Sequence, residues 1–336
     1  MTSERYEFLG RLRSLRAAGN QPALASSLGA PLVRRTRFPE APIEHSCFLA
    51  AVSRIADAHL RFCECGEGLN LLITGQSGCG KSILIDWYTA RNPIETRPDF
   101  DLIPVLSVAT PSNPSVNNFV QAILRALGAP RLSRESEDEK KARILTLLKR
   151  HGVELIFVDE FQHFLDYRTK ATLRVTDTLK ELFEACKCAV ILVGLPRSDL
   201  IIRQNEQMHR RFSRRFELRP FDANYEDSWI EFRAVLRELH RRTPVSAVNF
   251  HDPDVARRFF FASQGLISYV VSIIDTAIAT ARRDQCAIDL RVLAAAFEEA
   301  VWPGVADDLN PFLGSGKLRP LREPGEPFAK WDNYKG

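Results

Sequence analysis

The chain has 336 residues, 45% of them hydrophobic and 26% charged, with a formal net charge of +4. That is globular composition with room for two folded units, and the mild basic excess permits nucleic-acid contact without demanding it. No apolar run reaches the length of a membrane span, and residues 1–20 carry Glu and Arg throughout, unlike a secretory leader; a cytoplasmic protein with no membrane partner is expected.

Residues 1–42 read as an arm with one short amphipathic stretch (Phe8, Leu9, Leu12, Leu15) and a basic cluster at Arg34, Arg35 and Arg37. Over 43–61 the apolar positions Ile43, Phe48, Leu49, Val52, Ile55, Ala56 and Leu60 recur at helical spacing. The pattern then changes. Short apolar runs at 71–74, 102–108, 155–158 and 189–193 alternate with helical periodicity at 81–90, 116–127, 136–150 and 174–186. Such alternation is the signature of a parallel sheet covered on both faces.

From about 222 the strands stop. Helices are expected at about 225–240, 252–263, 266–283 and 289–301, with Asp289 as N-cap of the last. The tail from Pro303 holds five prolines and little periodicity, so an extended or disordered segment is expected. Its isolated apolar residues, Phe312, Leu321, Phe328 and Trp331, suit a peptide that folds against a partner.

The chemistry is concentrated in three places. Gly75-Gln76-Ser77-Gly78-Cys79-Gly80-Lys81-Ser82 matches G-x-x-x-x-G-K-[ST] at every fixed position, between an apolar run and a helix. Glycines there let backbone N–H groups wrap a phosphate chain at a helix N-terminus. Lys81 is expected to reach the β- and γ-phosphates of ATP, and the Ser82 hydroxyl to bind Mg²⁺. The second place is the end of the 155–158 run, which delivers Asp159 to the metal and Glu160 to the attacking water as general base. The third is the arginine-rich segment 207–216. Arg211, then Arg210, then Arg214 and Arg215, are candidates for a guanidinium offered to a neighbouring subunit's γ-phosphate; a solvated loop or a DNA-facing patch is the other reading.

The seven cysteines include two C-x-C pairs, Cys63/Cys65 and Cys186/Cys188. Neither has the C-x-x-C spacing of a zinc knuckle, so they are read as free thiols and small core residues. Cys79 is read as a small residue at a variable position of the phosphate loop.

Val158-Asp159-Glu160-Phe161-Gln162-His163-Phe164, Val193-Gly194-Leu195-Pro196 and Arg210-Arg211-Phe212 together resemble the TniB/TnsC family of AAA+ ATPases, over about residues 35–300. These regulate target choice in multi-component DNA transposons, including CRISPR-associated ones. The resemblance implies an α/β AAA+ P-loop core with a leading helix at 43–219, a helical lid at 220–302 and a tail at 303–336. It also implies a homo-oligomeric ring or helical filament on double-stranded DNA, linking a TniQ-type target-selection protein to a transposase, with slow ATP hydrolysis driving disassembly or switching. In such assemblies the loops after the second and third core strands commonly face the pore. Residues 110–115, and Arg168, Thr169, Lys170 and Arg174, are the corresponding candidates for phosphate contacts, an ordinary solvated loop being the alternative. His163 is given only a local packing or hydrogen-bonding role.

Two departures from the general AAA+ pattern stand out. Gly265-Leu266-Ile267-Ser268 lacks the arginine usual a turn after that glycine, and the fourth strand ends in Gly194-Leu195-Pro196 with no polar sensor. Both favour an assembly switch over a fast motor. The rival readings are a helicase loader or origin-binding ATPase, which shares every one of these nucleotide-site residues, and a scaffold that binds ATP without turnover.

Overall fold

A computed structural model describes residues 38–39, 41–130, 135–165, 178, 181–182, 184–313 and 318–329. The chain divides into two compact units. Within the described residues, 46–75 and 81–218 form the first, and 38–45, 76–80 and 219–329 form the second.

The first unit opens with α1 (Ser46–Cys65), whose buried face carries Phe48, Val52, Ile55 and Leu60. Strand β1 (Leu71–Gly75) leads through the glycine loop to α2 (Lys81–Ala90). A small antiparallel pair, β2 (Glu95–Thr96) with β3 (Asp101–Leu102), precedes β4 (Val105–Ala109). The apolar run expected as one strand at 102–108 is thus broken at Pro104, which has no N–H to give a ladder. Helices α3 (Val116–Ala126) and α4 (Glu137–Arg150) follow. Ser115 caps α3, and Ser136 with Glu139 forms a complete capping box on α4. Then come β5 (Leu155–Asp159), a 3₁₀ turn (Phe161–Phe164), β6 (Ala189–Gly194), α5 (Ser198–Arg203), α6 (Glu206–Arg211) and β7 (Arg214–Leu218). Most of the helix expected at 174–186 lies outside the described residues.

The five long strands are all parallel, in the order β4-β5-β6-β1-β7. Strand β6 is buried along its whole length, and β5 up to Asp159, because helices lie on both faces. Helix α1 packs on β1, β6 and β7, whereas α3 packs on β4. The chain passes from β1 to the far edge, returns through β5 and β6, and then places β7 on the other side of β1. The carboxyl end of β1 is therefore a topological switch point, where open α/β sheets bind ligands. Strand β7 had no strand signal. It is an edge strand with exposed or half-buried Arg214 and Arg215, so the alternation that marks a half-buried strand is missing.

The second unit contains α7 (Glu226–Arg242), α8 (Pro253–Ser263), α9 (Ile267–Asp284) and α10 (Leu290–Ala300). Each coincides with an expected helix to within two residues, and Asp289 accepts a hydrogen bond from Val292 N at 2.9 Å as the N-cap of α10. Phe232, Phe250, Phe259, Ile273 and Phe297 fill its core. Between α8 and α9 the chain turns at Gln264 and Gly265, with φ of 50° and 75°. A Cβ on Gly265 would lie 2.1 Å from Phe221 O, so only glycine fits.

The expectation of a free tail is corrected for the described residues. Phe312 is 2% exposed, with ring centroids 5.2 Å from Phe259 and 6.4 Å from Phe297. Leu321 and Phe328 are buried in the same core, and Asn310 Nδ2 donates to Ala294 O at 3.0 Å. A chain without periodicity can still bury anchors when turns carry the backbone. Trp331 lies outside the described residues. Among those residues no single helix is long and apolar enough to cross a membrane.

Candidate nucleotide site

The loop after β1 has the backbone that its glycines predict. Gly78 and Gly80 take φ of +85° and +89°, a region that L-residues rarely occupy. Helix α2 begins at Lys81, so the loop ends on a helix N-terminus with its unpaired N–H groups and partial positive charge. Lys81 is buried, and its Nζ donates to Gly75 O at 2.8 Å, folding the ammonium back over the loop. Ser82 is exposed in the first turn of α2, as is Ser77 in the loop; Gln76 and Cys79 are half-buried. Residues 76–80 cluster with the second unit, where a Cβ on Gly78 would lie 2.3 Å from Ser268 Oγ. Ser268 stands in the stretch that lacks the expected arginine.

Asp159 ends β5 with its side chain half-buried. Burial pushes its carboxyl above the ordinary carboxylate value, and the charge of Glu160 adds to this; the Glu160 N–H donated at 2.8 Å and the Lys81 ammonium pull the other way. A carboxylate kept partly out of water, facing a lysine, suits a hard cation.

Glu160 sits in the left-handed region at φ 55° and ψ 36°, uncommon for a residue with a Cβ and typical of strain held at functional sites. Its carboxylate accepts a hydrogen bond from Gln162 Nε2. Gln162 is 3% exposed, and its Oε1 accepts the Leu195 N–H at 3.0 Å, just past β6. One amide therefore ties Glu160 to the end of β6. The polar group missing from the end of β6 itself is supplied from the turn after β5. Gly194 makes room for this, since a Cβ there would lie 2.7 Å from Gln162 Oε1 and 2.4 Å from Ser198 Oγ. Sequence reasoning used Gln162 only for its family resemblance. Its spacing two residues after Glu160, on a tight turn, was the available signal. His163 has the local role expected of it, with Nδ1 3.1 Å from Thr110 O.

The arginines separate by environment. Met208 and Phe212 are fully buried and anchor α6, which turns Arg210 outward. Arg210 is 77% exposed and, among the described residues, pairs with Glu206 one turn earlier, a contact worth little in water. Arg211 is half as exposed and pairs with Glu184 at 3.0 Å. Arg214 and Arg215 lie in strand β7, not in a loop, and Arg215 pairs with Asp199 at 2.8 Å. Arg168, Thr169, Lys170 and Arg174 lie outside the described residues. Of the other candidate loop, Thr110 is buried and Ser115 serves as a helix cap.

Residues 58–222 match the family described as Bacterial TniB protein, a span that covers β1 to β7. No curated protein matches the chain. Among solved structures it is similar to CDC6p from Pyrobaculum aerophilum (12% identity, TM-score 0.59, covering 80% of this chain and 70% of that one). It is also similar to the Aeropyrum pernix ORC1 protein in complex with DNA (14%, 0.58, 77% and 66%). A third is the Aeropyrum pernix ORC2 protein in ADPNP-ADP complexes (15%, 0.56, 76% and 68%). At these identities the likeness is one of fold, and that fold is the AAA+ type: a parallel five-stranded sheet with flanking helices and a helical C-terminal region.

Proposed function

We propose that this protein is a member of the TniB family and an ATP-dependent, DNA-associated AAA+ ATPase that assembles on duplex DNA. The observation that carries the reading is the placement of Lys81, folded back on the carboxyl end of β1, and of the Asp159-Glu160 pair, at the carboxyl end of β5, on the same end of one parallel sheet, with a positive-φ glycine loop leading into Lys81. The loop N–H groups and Lys81 bind the phosphate chain, with Lys81 exchanging Gly75 O for phosphate oxygen. Ser82 and Asp159 would hold Mg²⁺, which when bound neutralises charge on the β- and γ-phosphates. Glu160 takes the proton of the attacking water, and Gln162 fixes where its carboxylate lies. Arg210 is the more exposed of the two α6 guanidinia and the first choice to reach a neighbouring subunit, with Arg211 second once it leaves Glu184.

The finer role rests on the TniB match and the family resemblance. By it, ATP-bound subunits form a ring or filament around DNA and connect a TniQ-type protein to a transposase, and hydrolysis releases the assembly. The similar ORC1 structure in complex with DNA supports the association with DNA.

Phosphate release tests the chemistry. Glu160→Gln should lower turnover by about 10²–10⁴-fold while nucleotide binding is kept, because the proton acceptor is lost and the phosphate cradle is not. Turnover that survives this change would remove Glu160 from the mechanism. A wild-type protein that binds ATP without releasing phosphate would leave only the scaffold reading.

A further inference from the structure

At the opposite end of β5 from Asp159, three metal-ligating side chains meet. His59 and Cys63 stand one turn apart on α1, and Glu154 immediately precedes β5. His59 is fully buried, and its Nε2 lies 2.9 Å from Glu154 Oε2. Cys63 Sγ lies 3.5 Å from the same oxygen. All three donor atoms fall within 4.8 Å of one another, the one such grouping among the described residues. The thiols of Cys186 and Cys188 do not join it, and Cys188 Sγ donates to Val153 O at 3.1 Å instead.

We infer that His59, Cys63 and Glu154 form a binding site for a divalent zinc-like cation. Zinc bonds of about 2.0–2.1 Å to nitrogen and oxygen and about 2.3 Å to sulfur, at tetrahedral angles, imply N···O and S···O edges of about 3.3 and 3.5 Å. The observed 2.9 and 3.5 Å need little adjustment. Tyr88 Oη lies 3.0 Å from His59 Nδ1 and would accept a hydrogen bond from its N–H, leaving Nε2 as the donor to the metal. Cys63 is exposed, which gives the ion a path in and leaves the fourth position to water. Binding replaces the thiol proton with the metal and joins α1 to the start of β5. Five residues of strand, roughly 16 Å, separate this site from Asp159, so it is not part of the nucleotide centre.

The competing arrangement is a metal-free hydrogen-bonded triad with the same distances. Cobalt distinguishes the two. The full-length, reduced, metal-stripped protein is titrated with Co²⁺ without nucleotide. One equivalent should bind, with a thiolate-to-cobalt charge-transfer band and the intense visible bands of four-coordinate cobalt, all displaced by zinc. Cys63→Ser, a change at an exposed position, should abolish the charge-transfer band, and Cys65→Ser should retain it. Tyr88→Phe should weaken binding by about 10–100-fold. A wild-type spectrum with no thiolate band, or a band that survives in Cys63→Ser, would overturn the site.

Discussion

Replacing Gln162 by Ala removes two hydrogen bonds at once. The Glu160 carboxylate loses its amide donor, and Leu195 N–H loses its acceptor beside the buried end of β6. The second loss costs stability, about 1–3 kcal/mol for a backbone donor left without a partner. The first acts on catalysis. A hydrogen bond to a charged group contributes about 1.5–3 kcal/mol, which at about 1.4 kcal/mol per decade becomes a fall of roughly 10- to 100-fold in kcat. Nucleotide affinity should hold, because Lys81 and the glycine loop are untouched. Phosphate release measured against ATP concentration separates the two parameters, and thermal unfolding reads the stability cost. Gly194→Ala offers an independent route, since its methyl would displace the Gln162 amide without removing it. A raised or unchanged kcat in Gln162→Ala would refute the positioning role and make the amide only a structural link.

Phe312→Ala should destabilise the second unit by about 3–5 kcal/mol, the usual cost of emptying a buried aromatic site; a thermal midpoint equal to wild type would mean that the tail does not pack there. Gly265→Ala should also unfold more easily, because its Cβ meets Phe221 O and its φ is positive; unchanged calorimetry would contradict the tight turn. His45 titrates in the second unit. Burial lowers its pKa from 6.5 to about 4, against a smaller upward pull from Glu231. The unfolded chain therefore takes up the proton first, so stability should fall as pH drops from 6.5 towards 4, by up to about 3 kcal/mol. Denaturant midpoints across that range should fall less steeply in His45→Gln, and parallel curves would remove His45 as the cause.

The glycine loop after β1, the acidic pair at the end of β5 and the alternation of strands and helices were legible because each obeys a local rule. A glycine pattern, a buried apolar run or a 3.6-residue period needs no knowledge of distant chain. What escaped depends on tertiary context. Strand β7 is polar because it lies at an edge, and its pairing with β1 through Arg214 and Arg215 leaves no alternation to read. The tail lacks periodicity because its anchors, Phe312, Leu321 and Phe328, are spaced by turns and matched to cavities between helices far away in sequence. Gln162 carries no local signal of its contacts, because Glu160 and Leu195 meet the two ends of its amide only in the fold. Cys63 and Glu154 are separated by 91 residues, a distance that only the fold of the first unit closes.

The central claim is that ATP gates assembly on duplex DNA, and electron microscopy of the purified protein tests it most directly. Wild type and Lys81→Ala are each imaged with duplex DNA, with and without a non-hydrolysable ATP analogue. Rings or filaments are predicted only for wild type with both DNA and analogue, with Arg210 or Arg211 at the contact between subunits. Particles that stay monomeric in every condition, or Lys81→Ala filaments that match wild type without nucleotide, would contradict it.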